Sequence, residues 1–236
     1  MNPPAWPPPV RRRLWLMRHG SVAYFGPGST TSFGDAVLTD QGCHQADAAR
    51  EFLSSRSIDL VITSGLPRAM QTASRVRPGQ QATTDTRWRE IEPGQWPAAA
   101  ASGLNDKLQL THALNTLGPG LTRDSQFMGG ETFGSLEDRV GAALKSLLED
   151  TSWTEALLVA HSVALRCTLA RCLGGNLDTI CRIEQDAGCL NLVEFDPAGW
   201  PLVRLVNHTP PDAVKLSMRM SSLEELLAQA LKHGSA

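Results

Sequence analysis

The stretch LWLMRHG at residues 14–20 joins four apolar residues directly to Arg18, His19 and Gly20. A short apolar run of this kind, bounded by polar residues and glycine, is typical of a strand that is buried on both faces. We therefore predict a buried strand over residues 13–17 that ends at Arg18 and His19. The polar side chains that follow this strand lie where the chain leaves the sheet.

Two later stretches repeat this pattern of an apolar run followed by polar residues. DLVIT at residues 59–63 leads into SGLPR at 64–68, and ALLVA at 156–160 leads into His161 and Ser162. Segments with a helical period separate the three runs. Helices are predicted to begin at the N-cap Thr39, near Pro67, at Glu131 (continuing to Leu148) and at Val163 (continuing to Leu173).

Strands that alternate with helices predict an α/β fold in which a mostly parallel sheet is covered on both faces. Residues 83–88 are predicted to add a strand, and residues 189–195 and 202–206 a late hairpin at the edge of the sheet. In such sheets the functional site lies beyond the carboxyl ends of the strands. The three apolar strands would therefore deliver two histidines and two arginines to one rim.

Composition divides the chain into a central domain and two extensions. Residues 1–12 form a proline-rich arm, because proline disfavours helices and central strands; a docking peptide for an aromatic groove is its alternative interpretation. Residues 13–210 form the domain, with an insert rich in Gly, Ala and Pro at 93–130 over the site. Residues 211–236 form a C-terminal extension with a helix at 222–232.

The bulk composition argues against several classes of protein. A net charge of −2 gives no global positive field for nucleic acid or an anionic membrane, and no stretch approaches the roughly 20 apolar residues of a membrane helix. The N-terminus lacks the apolar segment of a signal peptide. The five cysteines show no CxxC pair and no zinc spacing, so we expect reduced thiols, no metal or other cofactor, and a cytoplasmic protein.

The predicted rim suits the chemistry of a phosphate monoester. Arg18 and Arg68 carry planar, permanently charged guanidinium groups that bind phosphoryl oxygens in a bidentate manner. His19 can attack phosphorus as a neutral imidazole and form a covalent intermediate. His161 can hydrogen-bond the phosphoryl oxygens in the transition state.

A proton donor for the leaving alkoxide follows the predicted strand at 83–88. Glu90 and Glu92 are the candidates, since a carboxyl in a partly dry site beside other anions can act as an acid near neutrality. This chemistry needs no metal ion. We expect the partner to be a small phosphorylated substrate.

Six motifs along the chain resemble those of the histidine phosphatase superfamily, the phosphoglycerate mutase-like proteins. They are LMRHG (16–20), LTxxGxxQA (38–46), SGLPRAMQTA (64–73), REIEPGQW (89–96), GGET (129–132) and VAHSxxxR (159–166). The Arg-His-Gly triplet alone would be a weak signal. The full set in family order, over residues 14–195, is highly specific.

The resemblance implies a fold and a set of roles. The family fold is a three-layer α/β/α sandwich, which agrees with the strand pattern, and alignment favours Glu90 over Glu92 as the acid. The implied roles are nucleophile for His19, phosphate binding for Arg18, Arg68, His161 and the backbone N–H of Ser162, and proton donor for Glu90.

Three departures from the family pattern concern the substrate. Ser21 stands where the family usually has Glu or Gln, Phe25 where many members carry Asn, and Pro97-Ala98 where Glu-Gly is frequent. Ser21 and Trp96 are candidates for substrate contacts. Family members act on sugar phosphates, cofactor-precursor phosphates, phosphoproteins and other esters, so the natural substrate stays open.

Two alternatives stand beside a phosphatase. A cofactor-dependent phosphoglycerate mutase would use the same pocket, but mutases of this family resemble each other in a longer insert. Here only Lys107 and Arg123 are basic between Gly94 and Gly130. A non-catalytic phospho-ligand binding module would usually have lost a pocket residue, and this chain retains them all. The late strands could leave an exposed edge for a homodimer.

Overall fold

A computed structural model of the chain describes residues 10–24, 33–94, 117–210 and 221. The centre of the molecule is a six-stranded sheet. Its strands are β1 (Arg12–Arg18), β2 (Leu60–Thr63), β3 (Thr83–Thr84), β4 (Glu155–Ala160), β5 (Leu190–Phe195) and β6 (Pro201–His208). Their order across the sheet is β3-β2-β4-β1-β5-β6, with β1 to β4 parallel and β5 and β6 antiparallel to their neighbours.

The described residues also form five α-helices: α1 (Asp40–Phe52), α2 (Pro67–Val76), α3 (Phe133–Glu149), α4 (Ser162–Cys172) and α5 (Leu177–Ile180). The side-chain oxygen of Thr39 caps α1, as predicted, and that of Thr132 caps α3. The second cap places the start of α3 two residues after the predicted Glu131. None of the described helices combines the length and apolar character needed to cross a membrane.

Alternate residues of β1 point to opposite faces of the sheet. Leu14 and Leu16 join a core formed with α3 and α4, while Trp15 and Met17 join a second core formed with α1 and α2. The central strands β1 and β4 are therefore buried on both faces. This layering confirms the predicted α/β/α sandwich with a mostly parallel sheet.

The strand predicted at residues 83–88 is wrong beyond its first two residues. β3 covers only Thr83–Thr84, and a 3-10 turn follows at Thr86–Trp88. Asp85 causes the change, because its carboxylate accepts the Arg87 backbone N–H at 3.0 Å and caps the turn. The turn buries its tryptophan in the core that α3 shares with the sheet.

The remaining predictions concern the late hairpin, the segments at the ends of the chain, the insert and the cysteines. The late hairpin is confirmed, since β5 and β6 pair antiparallel and β6 lies at an edge of the sheet. The homodimer proposed for that edge stays a prediction. α5 is a single turn capped by Asn176, too short for sequence periodicity to show it. The proline-rich arm before Val10, residues 95–116 of the insert and the helix at 222–232 lie outside the described residues. All five cysteines are free thiols.

Two glycines let the loop after β1 cross the first turn of α1. Gly20 and Gly42 lie so close together that a Cβ on either residue would overlap main-chain atoms of the facing segment. Gly20 also donates its N–H to the hydroxyl oxygen of Thr72 in α2, at 3.1 Å. The crossing fixes the chain directly after His19 against two helices, which gives a physical reason for the glycine in each of these motifs.

Candidate active site

The two histidines of the motifs lie side by side at the carboxyl ends of adjacent strands. β1 and β4 pair in parallel with Arg18 opposite Ala160, so His19 and His161 leave the sheet together. The backbone N–H of His19 donates to Ala160 O at 3.0 Å, and the two imidazole centroids are 5.1 Å apart. His19 is 2% exposed and His161 is fully buried. The structure thus brings the two predicted histidines into one buried site.

Two hydrogen bonds fix the tautomer of His19. Its Nδ1 lies 2.7 Å from Gly20 O, which can only accept, so Nδ1 carries the ring proton. Arg68 Nε donates to Nε2 at 3.2 Å, so Nε2 carries a lone pair. Burial, followed by the positive charges of Arg68 and Arg18, lowers the pKa of His19 well below 6.5. His19 is therefore a neutral imidazole whose unprotonated Nε2 faces the guanidinium group of Arg68.

Arg68 is the central cation of the site. It lies near the start of α2 and is fully buried. Its Nη1 donates to Phe33 O at 2.9 Å, and its guanidinium carbon lies 4.7 Å from the centre of the Phe33 ring. Its Nη2 is buried and has no hydrogen-bond partner among the described residues. Because an unpaired buried N–H is costly, this group is well suited to bind a phosphoryl oxygen.

Arg18 reaches the site from the end of β1. Its Nη1 donates to Gln185 O at 2.6 Å, while its Nε is buried without a partner in the part of the chain that the structure describes. The side chain of Gln185 is bonded to Asn191 of β5 at 2.9 and 2.7 Å, and Asn191 donates to Leu16 O at 3.1 Å. A buried polar network therefore holds the carbonyl that orients Arg18.

His161 is oriented by a serine of the SGLPR motif. Its Nε2 lies 2.7 Å from Ser64 Oγ, which itself accepts the backbone N–H of Leu66 at 3.3 Å. A hydroxyl that accepts from Leu66 can donate to Nε2, which leaves the ring proton on Nδ1. That Nδ1 is buried and unpaired among the described residues. Burial, followed by the charges of Arg68 and the other nearby cations, lowers the pKa of His161 well below 6.5.

Glu90 lies at the N-terminus of α4, the helix that begins at Ser162. Both carboxylate oxygens lie 3.1 Å from the backbone N–H nitrogen of Val163, and Oε1 also accepts the N–H of Ala164 at 3.2 Å. The positive end of a helix stabilises an anion in this position. The structure therefore places the carboxyl of Glu90 and the backbone of Ser162 at the same helix end, directly after His161.

The remaining candidates from the sequence are Glu92, Ser21 and Trp96. Glu92 is exposed and its N–H donates to Glu131 Oε2 at 3.1 Å, so the structure favours Glu90 as the carboxyl near the histidines. The backbone of Ser21 is held at the crossing loop, with its N–H donating to Gln45 Oε1 at 2.8 Å and its carbonyl accepting the N–H of Thr39 at 3.0 Å. The predicted substrate contact of Trp96 and the departures at Phe25 and Pro97-Ala98 fall on residues outside the described ranges.

Three residues of the site have no role in the sequence prediction. Ser64 and Thr72 belong to the SGLPRAMQT motif, and their position in it was the signal that could have revealed them. Gln185 lies in no motif, and only the fold shows that its carbonyl meets Arg18. Across the ranges that the structure covers, no group of three or more His, Cys, Asp or Glu side chains is placed to hold a metal ion.

A family model for the histidine phosphatase superfamily (branch 1) matches residues 14–208. The chain belongs to this superfamily. A curated relative from Salmonella paratyphi A, named "Probable phosphoglycerate mutase GpmB", is 32% identical over 216 residues, which are 91% of this chain and 98% of the relative. The chain is thus an enzyme of the histidine phosphatase superfamily, as its motifs indicate.

Solved structures of phosphatases share this fold. The α-ribazole phosphatase from Shigella flexneri has a TM-score of 0.69 and 25% sequence identity, covering 83% of this chain and 96% of that structure. A mycobacterial glucosyl-3-phosphoglycerate phosphatase in complex with VO3 has a TM-score of 0.68 and 24% identity, covering 84% of this chain and all of the other. The superfamily thus holds both mutase-named and phosphatase-named relatives of this chain.

Proposed function

We propose that this enzyme hydrolyses a small phosphate monoester in the cytoplasm through a phosphohistidine on His19, without a metal ion. The observation that carries the proposal is the fixed tautomer of His19. Its Nδ1 proton is held by Gly20 O and its lowered pKa keeps Nε2 unprotonated. A neutral imidazole with one unprotonated nitrogen is a nucleophile that needs no separate base.

In the first step, Nε2 of His19 attacks phosphorus and the bond from phosphorus to the ester oxygen breaks. Negative charge on the transferring phosphoryl group is stabilised by the unpaired N–H groups of Arg68 and Arg18 and by Nδ1 of His161. The backbone N–H of Ser162, at the start of α4, adds a donor at the helix end.

Glu90 protonates the departing alkoxide in this scheme. In the free enzyme its carboxylate accepts N–H groups from Val163 and Ala164. For this step the carboxyl of Glu90 must carry a proton, which it takes from solvent before the ester bond breaks. In the second step the same carboxylate takes a proton from water as the water attacks the phosphohistidine, releasing inorganic phosphate and restoring His19.

The insert supports a phosphatase over a mutase. A mutase must hold a second acidic group of its substrate while it shields the phosphohistidine from water, and this calls for additional basic residues. Arg123, the basic residue of the insert that lies in the described part of the chain, forms ion pairs with Glu137 and Asp138 of α3. Its charge is therefore committed to that helix.

The names of the related structures guide the choice of substrate. The Shigella structure is an α-ribazole phosphatase and the mycobacterial structure a glucosyl-3-phosphoglycerate phosphatase. Both are named as phosphatases of small molecules, and we propose a small phosphorylated molecule as the substrate of the present enzyme.

Turnover of p-nitrophenyl phosphate with a metal chelator present tests the proposal. We expect the wild type to hydrolyse the ester and His19→Ala to lose about a thousandfold or more in kcat. His44→Ala is the matched control, because His44 is exposed on α1 and should keep full activity. Full activity of a clean His19→Ala preparation, or activity that disappears with the chelator, would show that the proposed chemistry is wrong.

A further inference from the structure

The GGET motif at residues 129–132 has no direct part in the chemistry described above. From the contacts of its glutamate, we propose that Glu131 and Arg139 are positioning residues that hold Glu90 in place for proton transfer. This inference rests on the proposed function, since it assigns the pair to the proton donor of that reaction.

Arg139 of α3 hydrogen-bonds to the backbone of the segment that carries Glu90. Its Nη1 donates to the carbonyl oxygens of Arg87 and Arg89, each at 2.7 Å, and its Nη2 donates to the carbonyl oxygen of Glu90 at 3.1 Å. Three carbonyls within four residues thus converge on one guanidinium group. This segment has no regular secondary structure after the 3-10 turn, so Arg139 supplies order that a helix or strand would otherwise provide.

Glu131 holds the guanidinium from the other side. Its carboxylate oxygens accept from Arg139 Nε and Nη2, both at 2.7 Å, in a bidentate pair. One of these oxygens also accepts the backbone N–H of Glu92 at 3.1 Å, and the Glu131 N–H donates to Glu92 O at 2.9 Å. The pair therefore holds the backbone at Glu90 itself and on both sides of it.

The ion pair between Arg139 and Glu131 is largely shielded from solvent, which strengthens it. The side chains of Arg139 and Glu131 are 21% and 13% exposed. Burial alone would raise the pKa of Glu131, but the hydrogen bonds and charge of Arg139 lower it below its usual value. The chain on either side is also closely packed, because Gly94 and Gly130 approach so closely that a Cβ on either would overlap the backbone of the facing segment.

A positioning role predicts a distinct kinetic signature. An ester with a poor leaving group, such as an alkyl phosphate, needs the proton from Glu90, whereas 2,4-dinitrophenyl phosphate leaves without protonation. Displacement of Glu90 should therefore slow the first ester and spare the second. General loss of stability or damage to the phosphate pocket would slow both esters alike.

The experiment measures kcat/KM, which reports steps up to release of the alcohol, for phenethyl phosphate and for 2,4-dinitrophenyl phosphate. Glu90→Gln serves as the reference, with an expected loss of about 100-fold or more on the alkyl ester and less than about threefold on the aryl ester. We expect Arg139→Gln and Glu131→Gln each to lose about 10- to 100-fold on the alkyl ester with the same sparing of the aryl ester. Arg139→Lys should not restore the alkyl activity, because an ammonium group lacks the planar fork that reaches the carboxylate and the carbonyls together.

Arg123→Gln is the matched control, since it removes ion pairs between the insert and the same helix α3 without touching the Glu90 segment. It should leave both esters unchanged. If Glu90→Gln discriminates between the esters but Arg139→Gln and Glu131→Gln do not, the positioning role is overturned and the acid role of Glu90 stands. If Glu90→Gln does not discriminate, the acid role itself fails and the positioning role falls with it. Should Arg139→Gln not fold, Glu131→Gln alone decides the question by the same ratio.

Discussion

A single backbone carbonyl sets the reactivity of His19. Gly20 O accepts from Nδ1, so the lone pair must lie on Nε2, and burial beside two arginines keeps it unprotonated. The sequence predicts a nucleophilic histidine at this position from its strand end and its motif. It could not show the tautomer, because the tautomer depends on how the chain bends at Gly20.

Ser64 should matter to His161 more than its small size suggests. Ser64→Ala removes the hydroxyl 2.7 Å from His161 Nε2 and leaves a buried ring nitrogen unpaired. We expect kcat/KM for p-nitrophenyl phosphate to fall by about tenfold, equivalent to the loss of about 1.4 kcal/mol of transition-state stabilisation. The kinetics should be measured beside a thermal melt to separate activity from stability.

Ser74→Ala is the control for this change, because Ser74 is an exposed serine of helix α2 whose hydroxyl donates to Gln71 O in the same helix. It should keep wild-type activity. Wild-type activity in Ser64→Ala as well would mean that His161 needs no orienting partner.

The strands and caps are the elements that the sequence predicts best. Short apolar runs such as those of β1 and β4 fit few structures other than a buried strand. Thr39 caps α1 through a hydrogen bond within the first turn, which the local sequence shows. β3 is different, because Asp85 diverts the chain into a turn through a hydrogen bond that propensity does not show. Tertiary context decides such short segments.

The crossing of the β1 loop over α1 yields a prediction about one added methyl group. Gly42→Ala puts a Cβ into the backbone of Ser21, where no flexible side chain can yield. We expect the free energy of unfolding to fall by about 2 kcal/mol or more, in the range of overpacked cores. Urea denaturation followed by circular dichroism measures this change.

Gly141→Ala makes the same substitution within helix α3 and serves as the comparison. The atoms nearest to its new Cβ would belong to the guanidinium end of Arg171, an exposed side chain, with the first at 3.2 Å. Because the guanidinium can move and alanine favours a helix by up to about 1 kcal/mol over glycine, this variant should be neutral or stabilised. Equal destabilisation of both variants would contradict the close crossing.

At the scale of the whole molecule, the sequence predicts the architecture and most of the site. The parallel order of β1 and β4 follows from alternating strands and helices, and their ends bring His19 and His161 together. The network from Gln185 to Arg18 and the anchor from Arg139 to Glu90 were beyond prediction. Both consist of side chains that meet backbone carbonyls far away in sequence, which only the folded chain specifies.

Burial of two neutral histidines should make the stability depend on pH. Both have folded pKa values below the unfolded value of 6.5, so below pH 6.5 the unfolded chain binds more protons than the folded chain. The contribution of the two histidines to the free energy of unfolding is therefore fully present above about pH 6.5. It is lost as the pH falls toward their folded-state pKa values, by up to about 1.4 kcal/mol per pH unit for each histidine. Urea unfolding in phosphate-free buffer between about pH 7.5 and pH 5.5 measures this slope.

Variants identify the source of the slope. His19→Asn and His161→Asn should each reduce it, whereas His44→Gln on the exposed surface of α1 should not. Carboxylates with lowered pKa values, such as Asp59, Asp85 and Glu131, act at lower pH and leave this window to the histidines. A flat stability profile across the window would show that the site histidines are not buried in neutral form.

The central claim is that His19 carries the phosphoryl group during turnover. The most direct test mixes the enzyme rapidly with p-nitrophenyl phosphate, quenches it with denaturant at neutral pH and maps the modified residue by mass spectrometry. We expect one phosphoryl group per chain, on His19, formed as fast as the first nitrophenolate is released and absent from His19→Ala. Continued turnover with no phosphorylated chain at any time, or with the phosphoryl group on another residue, would contradict the account.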